Sequence, residues 1–411
     1  MNIFKLSLAN LRFKPLNNLF NVIILALGIA AISTTFQVSN QIESKFSRSL
    51  QGIDLVVGAK GSPLQLILST VFHLDVPTGN IPFNEAQNLR ENSLIKSSIP
   101  LALGDNYNGF RIVGTNSDYI NHYGGKLEQG AFADDEMQVI IGSEVAQNNN
   151  LKLGDKIVSA HGLGNQQADD DVHEDSPYTV VGILQKNNSV LDRLIITPIA
   201  SIWHVHHHHH EEEEVDPEKH HEDKAKEDEE AEREITALLI TYESPIAALS
   251  LPRQINQSTN LQAAVPAFEI ARLIKIFGIG SETIKLFSFA LILISVIGLF
   301  ITTLNSVNER TYDIALMRSL GASRQKIVKI LLSESLILGI IASVLGLFLG
   351  HVFLYSMALW LNETKHLSLD ISCNINQFYI AASSILLTLL ATIIPALLAY
   401  KINISKALAR Q

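Results

Sequence analysis

The chain has 411 residues, 47% of them hydrophobic, with a mean hydropathy of +0.21 and a formal net charge of −10. This composition is too apolar for an ordinary soluble protein, and the absence of a basic patch or an aromatic platform argues against nucleic acid as a partner. Cys373 is the single cysteine, which excludes an intrachain disulfide and a cysteine-based zinc site.

The first apolar run follows a short basic segment. Residues 1–18 contain three basic side chains and no acidic one, and residues 19–36 are uncharged and long enough to cross a bilayer. The positive-inside rule therefore predicts a cytoplasmic N-terminus followed by transmembrane helix 1. A cleaved signal peptide is the competing interpretation, but the apolar run is long for one and a polar, helix-like segment continues it.

Residues 37–285 change to short Val-, Ile- and Leu-rich runs separated by turn residues, which predicts an extracytoplasmic stalk and α+β domain. Strands are expected at 54–57, 95–103, 110–114, 138–141, 178–183, 193–197 and 237–242, and helices at 84–91, 144–149 and 246–255. The spacing of a phosphate-binding loop does not occur, so we predict that the chain is not an ATP-hydrolysing enzyme and holds no intrinsic cofactor.

A His- and acid-rich tract at 204–234 interrupts this domain. Residues 206–234 contain 14 acidic and 4 basic side chains, which accounts for the whole net charge. Such a composition cannot build a core, so we predict a mobile, solvated loop. The candidate metal ligands are His204, His206, His207, His208, His209, His210, His220 and His221.

Imidazole nitrogen and carboxylate oxygen suit Zn²⁺, and also Cu²⁺ or Ni²⁺. Adjacent histidines offer many partial sites but no fixed tetrahedron, so several weakly held, exchanging ions are expected. The alternative is an acidic linker with incidental histidines. A smaller cluster of the same kind, at 161–175, is a weaker metal candidate.

The pattern of the C-terminal part predicts three further spans: transmembrane helix 2 at 286–305, helix 3 at 331–359 and helix 4 at 377–400. The segments between and after them are predicted to be a cytoplasmic loop at 306–330, an extracytoplasmic loop at 360–376 and a cytoplasmic tail at 401–411. Five Lys and Arg side chains in 309–329 favour a cytoplasmic loop. Glu334 is expected either to lie near the cytoplasmic surface or to pair with Lys329 or another basic side chain. The predicted fold is thus a membrane α-helical protein with four transmembrane helices and an extracytoplasmic α+β domain inserted between helices 1 and 2.

The loop between helices 2 and 3 has its own pattern. Ile314, Met317 and Leu320 recur every third residue, which places them on one side of a short helix. Gly321 is expected to end that helix in a left-handed conformation, and Ser323 to cap the next one. Such a helix can present an apolar knob to a soluble partner, with Met317 at the centre of its exposed face.

The segment NERTYDIALMRSLGASRQKI resembles the signature of the MacB/FtsX-type family of ABC-transporter permeases. Residues 138–158 and 178–203 resemble the extracytoplasmic domain of the same family, and the proline-containing end of the last span resembles its C-terminus. The resemblance implies that the segment from Glu309 to Ser323 contacts a cytoplasmic ABC ATPase. The coupling residues are then Glu309, Arg310, Ile314, Met317, Arg318, Leu320, Gly321, Ala322 and Ser323.

The resemblance also implies a second permease protomer, identical or different, and a multi-pass protein of the inner membrane. Both termini would be cytoplasmic, the large domain would be periplasmic, and membrane lipid and a periplasmic binding or adaptor protein would be further partners. The His-rich tract suggests that the protein's function is linked to transition-metal handling, with zinc as the expected ion.

The alternatives are export of a lipoprotein, peptide or drug by the same architecture, and a signalling protein that activates a periplasmic cell-wall hydrolase.

Overall fold

The computed structural model of the chain describes residues 3–12, 15–161, 176–211, 233–365, 371 and 375–400. The chain divides into two compact units. The helical unit comprises Met1–Ile42 and Ile276–Gln411, and the α/β unit comprises Glu43–Lys275.

The helices of the described residues are numbered in chain order. They are α1 (Ile3–Leu11), α2 (Pro15–Ser49), α3 (Pro63–Thr70), α4 (Phe83–Arg90), α5 (Ser117–His122), α6 (Ser143–Asn149), α7 (Ile199–Glu211), α8 (Ala247–Ser258), α9 (Pro266–Glu309), α10 (Thr311–Ser319), α11 (Arg324–Lys365) and α12 (Ile375–Tyr400), with a short 3₁₀ helix at Val190–Arg193.

The strands are β1 (Leu55–Ala59), β2 (Ile81–Pro82), β3 (Ile95–Tyr107), β4 (Phe110–Thr115), β5 (Leu127–Gly130), β6 (Gln138–Ile141), β7 (Lys156–Ile157), β8 (Ala160–His161), β9 (Tyr178–Leu184), β10 (Ile195–Pro198), β11 (Glu234–Ile235), β12 (Ala237–Tyr242) and β13 (Leu261–Ala264).

Among the described residues, α2, α9, α11 and α12 are long and apolar enough to cross a membrane. A helix satisfies its backbone hydrogen bonds internally, which is the requirement that lipid imposes on a spanning segment. One of these helices is N-terminal and three are C-terminal, and the α/β unit lies between them in the sequence. The predicted fold class is therefore confirmed.

The helical unit is held together by close contact between its long helices. Val22 and Ile29 of α2 form one buried cluster with Ile292 of α9 and Leu338 of α11. Gly28 lies so close to Ile292 that a Cβ atom would come within 2.8 Å of its Cγ1. Small residues allow such an approach between membrane helices, where packing rather than the hydrophobic effect drives association.

The α/β unit contains one mixed sheet, in the strand order β13-β1-β12-β3-β4-β10-β6-β9-β5. β7 pairs with β9, β8 pairs with β3, and β2 and β11 form a separate pair. Most neighbours are antiparallel, but β4–β10 and β6–β9 are parallel. Val, Ile and Leu side chains from both faces of the sheet fill three buried clusters. The sequence patterns thus located β6 and β12 with their observed bounds, whereas β3 is longer than expected.

Several helices differ from the sequence-based expectation, among them α3 and α5, which were not predicted, and α1 and α7. α1 lies within the segment 1–18, for which no helix is predicted. α7 continues through His210 to Glu211, so the predicted loop at 204–234 is wrong for its first eight residues. The physical reason is that Ile202 and Val205 are buried, which fixes the helix register before the histidines begin. Residues 212–232 lie outside the described part of the chain, and His220 and His221 are among them.

Candidate functional site

The short helix α10 has a well-formed cap at its C-terminal end. Asp313 lies in its first turn and Arg318 in its last, as the helix dipole favours. Gly321 has φ of +97°, the Gly321 amide donates to the Arg318 carbonyl at 3.1 Å, and the Ala322 amide donates to the Met317 carbonyl at 2.9 Å. These are the two bonds of a Schellman motif, in which a left-handed glycine closes the helix.

The next helix starts at once after this turn. The Lys326 amide donates to the Ser323 hydroxyl oxygen at 3.3 Å, so Ser323 caps α11, which begins at Arg324. The predicted helix end at Gly321 and the predicted cap at Ser323 are both confirmed. The short connection keeps α10 close to the start of a long apolar helix.

The inner face of α10 packs into the helical unit. Ile314 is 4% exposed and Ala315 is fully buried. Met317 is half-buried and contacts the same cluster. Its members come from the ends of three long helices and from α10 itself: Val307, Ile314, Ile327, Leu331, Ala396 and Ala399. The expectation that Met317 is the centre of the exposed face is therefore wrong, because its face is used to attach α10 to α9, α11 and α12.

The outer face of α10 carries different apolar side chains. Tyr312 is 44% exposed, Leu316 is 43% exposed and Leu320 is 81% exposed. Leu316 and Leu320 are four residues apart, which is one helical turn, so they lie on the same side. Leu320 is exposed although it continues the spacing of Ile314 and Met317, because it is the residue at which the helix ends.

A polar contact joins the start of α10 to α1 and α11. Arg310 lies 3.8 Å from a Glu334 carboxylate oxygen and donates to the Asn10 carbonyl at 3.1 Å. The Asn10 amide group in turn donates to Glu334 at 2.6 Å. Glu334 thus pairs with a basic side chain as expected, and the partner is Arg310. Asn10 has no sequence signal that would have placed it here, because its helix was not predicted.

A cavity of about 420 Å³ lies beside this contact. Asn10 and Arg310 line its polar side, and Ile314, Met317 and Ile330 line its apolar side. The Met317 side chain therefore has free space next to it while the helix as a whole is held by Ile314.

The nine candidate coupling residues are thus divided between two environments. Glu309, Leu320, Gly321 and Ser323 are exposed, Arg310, Met317, Arg318 and Ala322 are half-buried, and Ile314 is buried. The exposed members, together with the exposed apolar side chains of the neighbouring Tyr312 and Leu316, offer surface to another protein. Those two are absent from the nine candidates, and the signal that could have found them is their position opposite Ile314 on the helix.

The candidate metal ligands are described only in part. His204 lies on α7 and its Nδ1 is 3.8 Å from a carboxylate oxygen of Glu136. His206 to His210 follow on the same helix. In the part of the chain that the structure describes, no three His, Cys, Asp or Glu residues come together as a metal site.

Comparison with known proteins covers both units. The model of the MacB-like periplasmic core domain matches residues 19–247, which is more than half of the chain. The model of the FtsX-like permease C-terminal region matches residues 285–404. No curated protein sequence matches the chain significantly.

Among solved structures, the crystal structure of the periplasmic region of MacB from Actinobacillus actinomycetemcomitans is similar over 55% of this chain and 95% of that one. The sequence identity is 13% and the TM-score is 0.33, so this likeness adds no argument of its own.

The two matched models confirm the resemblance that the sequence motifs indicate. Permeases of this type are membrane components of ABC systems, work with a cytoplasmic ATPase and dimerise. The four apolar helices and the matched periplasmic domain together indicate an inner-membrane protein with a periplasmic domain. The chain therefore belongs to the MacB/FtsX-type family of ABC-transporter permeases.

Proposed function

We propose that this permease transmits ATP hydrolysis by a separate cytoplasmic ATPase to its periplasmic domain, and that this work serves the handling of a transition metal, zinc. One observation carries the metal part of the proposal. α7 starts in the core of the α/β unit and runs without interruption into the His-rich tract. The tract is therefore anchored to the folded domain by a helix.

The chain segment that follows the tract contacts the helix that precedes it. The indole Nε1 of Trp203 donates to the Glu234 carbonyl at 2.8 Å, and the Arg233 guanidinium lies 5.2 Å from the centre of the Trp203 ring. Phe83 contacts the same ring edge-on at 5.0 Å. The chain thus leaves and re-enters the domain at one place, and metal bound in the tract would act on the domain there.

For the ATPase contact, we assign Tyr312, Leu316 and Leu320 as the docking side chains. They are the large exposed apolar residues of α10 and its end, whereas Ile314 fixes the helix from behind. An apolar knob supported by a buried face transmits displacement to the long helices α9 and α11 with little loss, because packed interiors are nearly incompressible. The exposed Glu309 would change the rate at which the ATPase associates with the permease rather than the affinity of the complex.

The positive charges of the 309–329 loop and of the tail favour cytoplasmic termini, and α10 would then lie on the side of the ATPase. A second protomer, identical or different, would complete the permease pair. A periplasmic metal-binding or adaptor protein would exchange ions with the tract.

The test is a strain that lacks the gene, complemented by the wild type or by a variant with His206–His210, His220 and His221 changed to Asn. Growth and cellular zinc content are measured at limiting and at excess zinc. We expect the variant to be produced and inserted normally but to fail in the zinc-dependent condition. Full complementation by the variant in both conditions would remove zinc from the function and leave a permease for other cargo.

A further inference from the structure

The polar side of α1 is the side that packs against the helical unit. Ser7 is fully buried, and its hydroxyl donates to the Ile330 carbonyl of α11 at 3.2 Å. Asn10, three residues further along α1, is half-buried and donates to the Glu334 carboxylate at 2.6 Å. The polar residues of α1 are therefore the ones that attach it to α11.

Two large apolar side chains of α1 lie on its exposed side. Phe4 is 60% exposed and Leu8 is 40% exposed. They are four residues apart, so they lie on the same side of the helix. A helix on the surface of a soluble protein has the reverse pattern, with its apolar stripe buried and its polar residues in water. The pattern of α1 is that of a helix whose outer side meets lipid.

The contacts of α1 keep it at the membrane surface. The Asn18 side-chain amide donates to the Leu11 carbonyl at 2.9 Å, so the last residue of α1 contacts the first turn of the spanning helix α2. Ile330 and Glu334, which bind α1, lie within about the first three turns of the spanning helix α11. α1 thus packs at the ends of two spanning helices, where an interfacial helix buries its apolar side among headgroups and the first acyl carbons.

Two basic side chains lie next to the apolar pair. Lys5 and Arg12 are both exposed, and Arg12 directly follows α1. They are seven residues apart, which is two helical turns, so both lie about 80–100° around the helix from Phe4. The chain has no acidic residue before Glu43. The outer side of α1 therefore combines an apolar edge with a positively charged edge, which complements a surface of anionic lipid headgroups.

We propose that the outer side of α1 binds anionic phospholipid, with Phe4 and Leu8 among the acyl chains and Lys5 and Arg12 at the headgroups. Through Asn10, which contacts both Glu334 and Arg310, α1 then connects the lipid surface to the start of α10. The proposal goes beyond the function proposed above and depends neither on the metal nor on the ATPase contact.

The experiment uses the full-length permease in nanodiscs of phosphatidylcholine and phosphatidylglycerol. Cys373 is replaced by Ser, and Ala9→Cys, an exposed position between the two basic residues, carries a bimane fluorophore. One of the two lipids is brominated on acyl-chain carbons near the headgroup, so that it quenches the fluorophore on contact. The ratio of quenching by the brominated anionic lipid to quenching by the brominated neutral lipid gives the relative affinity of this site.

Lys5→Gln and Arg12→Gln each remove one positive charge from the proposed site. Lys126→Gln, at an exposed position of the α/β unit, is the matched control. We expect both lipids to quench the fluorophore, with the anionic lipid preferred, and each α1 substitution to lower that preference by about fivefold. Lys126→Gln should leave the preference at the value of the labelled parent protein.

Three results would overturn the proposal. Absence of quenching by either lipid would show that the outer side of α1 does not contact the bilayer. Equal quenching by the two lipids would leave an apolar contact without an anionic lipid site. Quenching that disappears when the permease is co-purified with its ATPase would assign this side of α1 to the protein partner.

Discussion

The carboxylate of Glu334 connects α11 to α1 and to the start of α10. Its side chain is only 12% exposed, and the neighbouring Arg310 side chain is 21% exposed. Asn10 of α1 contacts both residues, through its amide group and through its carbonyl. A buried charge of this kind is costly unless it is paired, so the contact should be sensitive to loss of one partner.

We therefore expect Arg310→Ala to lower the free energy of unfolding of the helical unit by on the order of 3 kcal/mol, because Glu334 would be left buried and unpaired. Thermal unfolding of the purified permease in detergent measures this change. Lys329→Ala is the matched control, since Lys329 is exposed and is the other basic residue that the sequence offers as a partner. A loss as large in Lys329→Ala would show that Arg310 is not the partner that matters.

His73 is a second residue whose chemistry depends on its surroundings. It adopts a left-handed backbone with φ of 55°, and its Nε2 lies 2.8 Å from the hydroxyl of the fully buried Tyr119. Burial lowers the pKa of His73 well below its usual value, and the nearby Arg111 and Arg193 lower it further. The imidazole is therefore neutral in the folded protein near neutral pH.

The sign of the pH effect follows from this lowered pKa. The unfolded chain binds a proton at His73 near pH 6.5 and the folded chain does not, so stability falls as the pH falls below that value, by at most about 1.4 kcal/mol per pH unit for this one group. We expect His73→Asn, which tolerates the left-handed backbone, to reduce the loss of stability between pH 7.5 and pH 5.5. Urea unfolding at the two pH values measures it. An unchanged pH dependence in His73→Asn would refute the assignment.

At the scale of the element, α10 has one face packed into the helical unit and one face exposed. Ile314 belongs to the cluster at the ends of the long helices and Ala315 is fully buried, whereas Leu316 and Leu320 are exposed. A substitution on the inner face therefore changes the fold of the permease before it changes any contact with a partner. Met317, half-buried at this boundary, cannot distinguish the two effects.

We expect Leu320→Asp to prevent co-purification of the ATPase and to abolish complementation, while membrane insertion and thermal stability stay near the wild-type values. The physical reason is that Leu320 is 81% exposed in the permease but would carry a carboxylate into an apolar socket of the complex. Gln325→Asp, also exposed and just beyond the turn, controls for added negative charge. Normal co-purification of Leu320→Asp and of Leu316→Asp would exclude this face of α10 as the docking surface.

At the scale of the whole molecule, the His-rich tract is an insertion whose two ends meet. Trp203 bonds to the Glu234 carbonyl, and Ile235 is 1% exposed in the strand pair β2–β11. The fold on either side is thus complete without the residues between. Loops of this kind can be shortened at low cost, because closing entropy depends only weakly on loop length.

We expect a permease in which a short Gly-Ser linker replaces residues 206–232 to unfold within about 1 kcal/mol of the wild type, a shift of about 2–4 °C in Tm for a domain of this size. Trp203→Ala in the same background should cost on the order of 3 kcal/mol, because it removes a large aromatic side chain and the bond that joins the two ends. Thermal melting of both proteins decides between the outcomes. Loss of the cooperative transition on deletion alone would show that the tract is structural.

Much of the architecture could be predicted because the signals are local. An uncharged apolar run must become a membrane helix, and a short Val- and Ile-rich run between turn residues becomes a strand. Gly321 and Ser323 could be assigned because caps depend on residues within one turn of each other. The family signature lies in the same contiguous segment, and the matched models confirm it.

The sequence by itself therefore determined the spans, the main strands and the turn after α10. Only the tertiary structure decided which face of α10 is buried, since Ile314 and Leu320 share a spacing but not an environment. It also decided that Arg310 rather than Lys329 meets Glu334, and that Glu136 meets His204 across 68 residues of chain. These pairings depend on the packing of distant segments, and helical or strand periodicity carries no information about which segments come together.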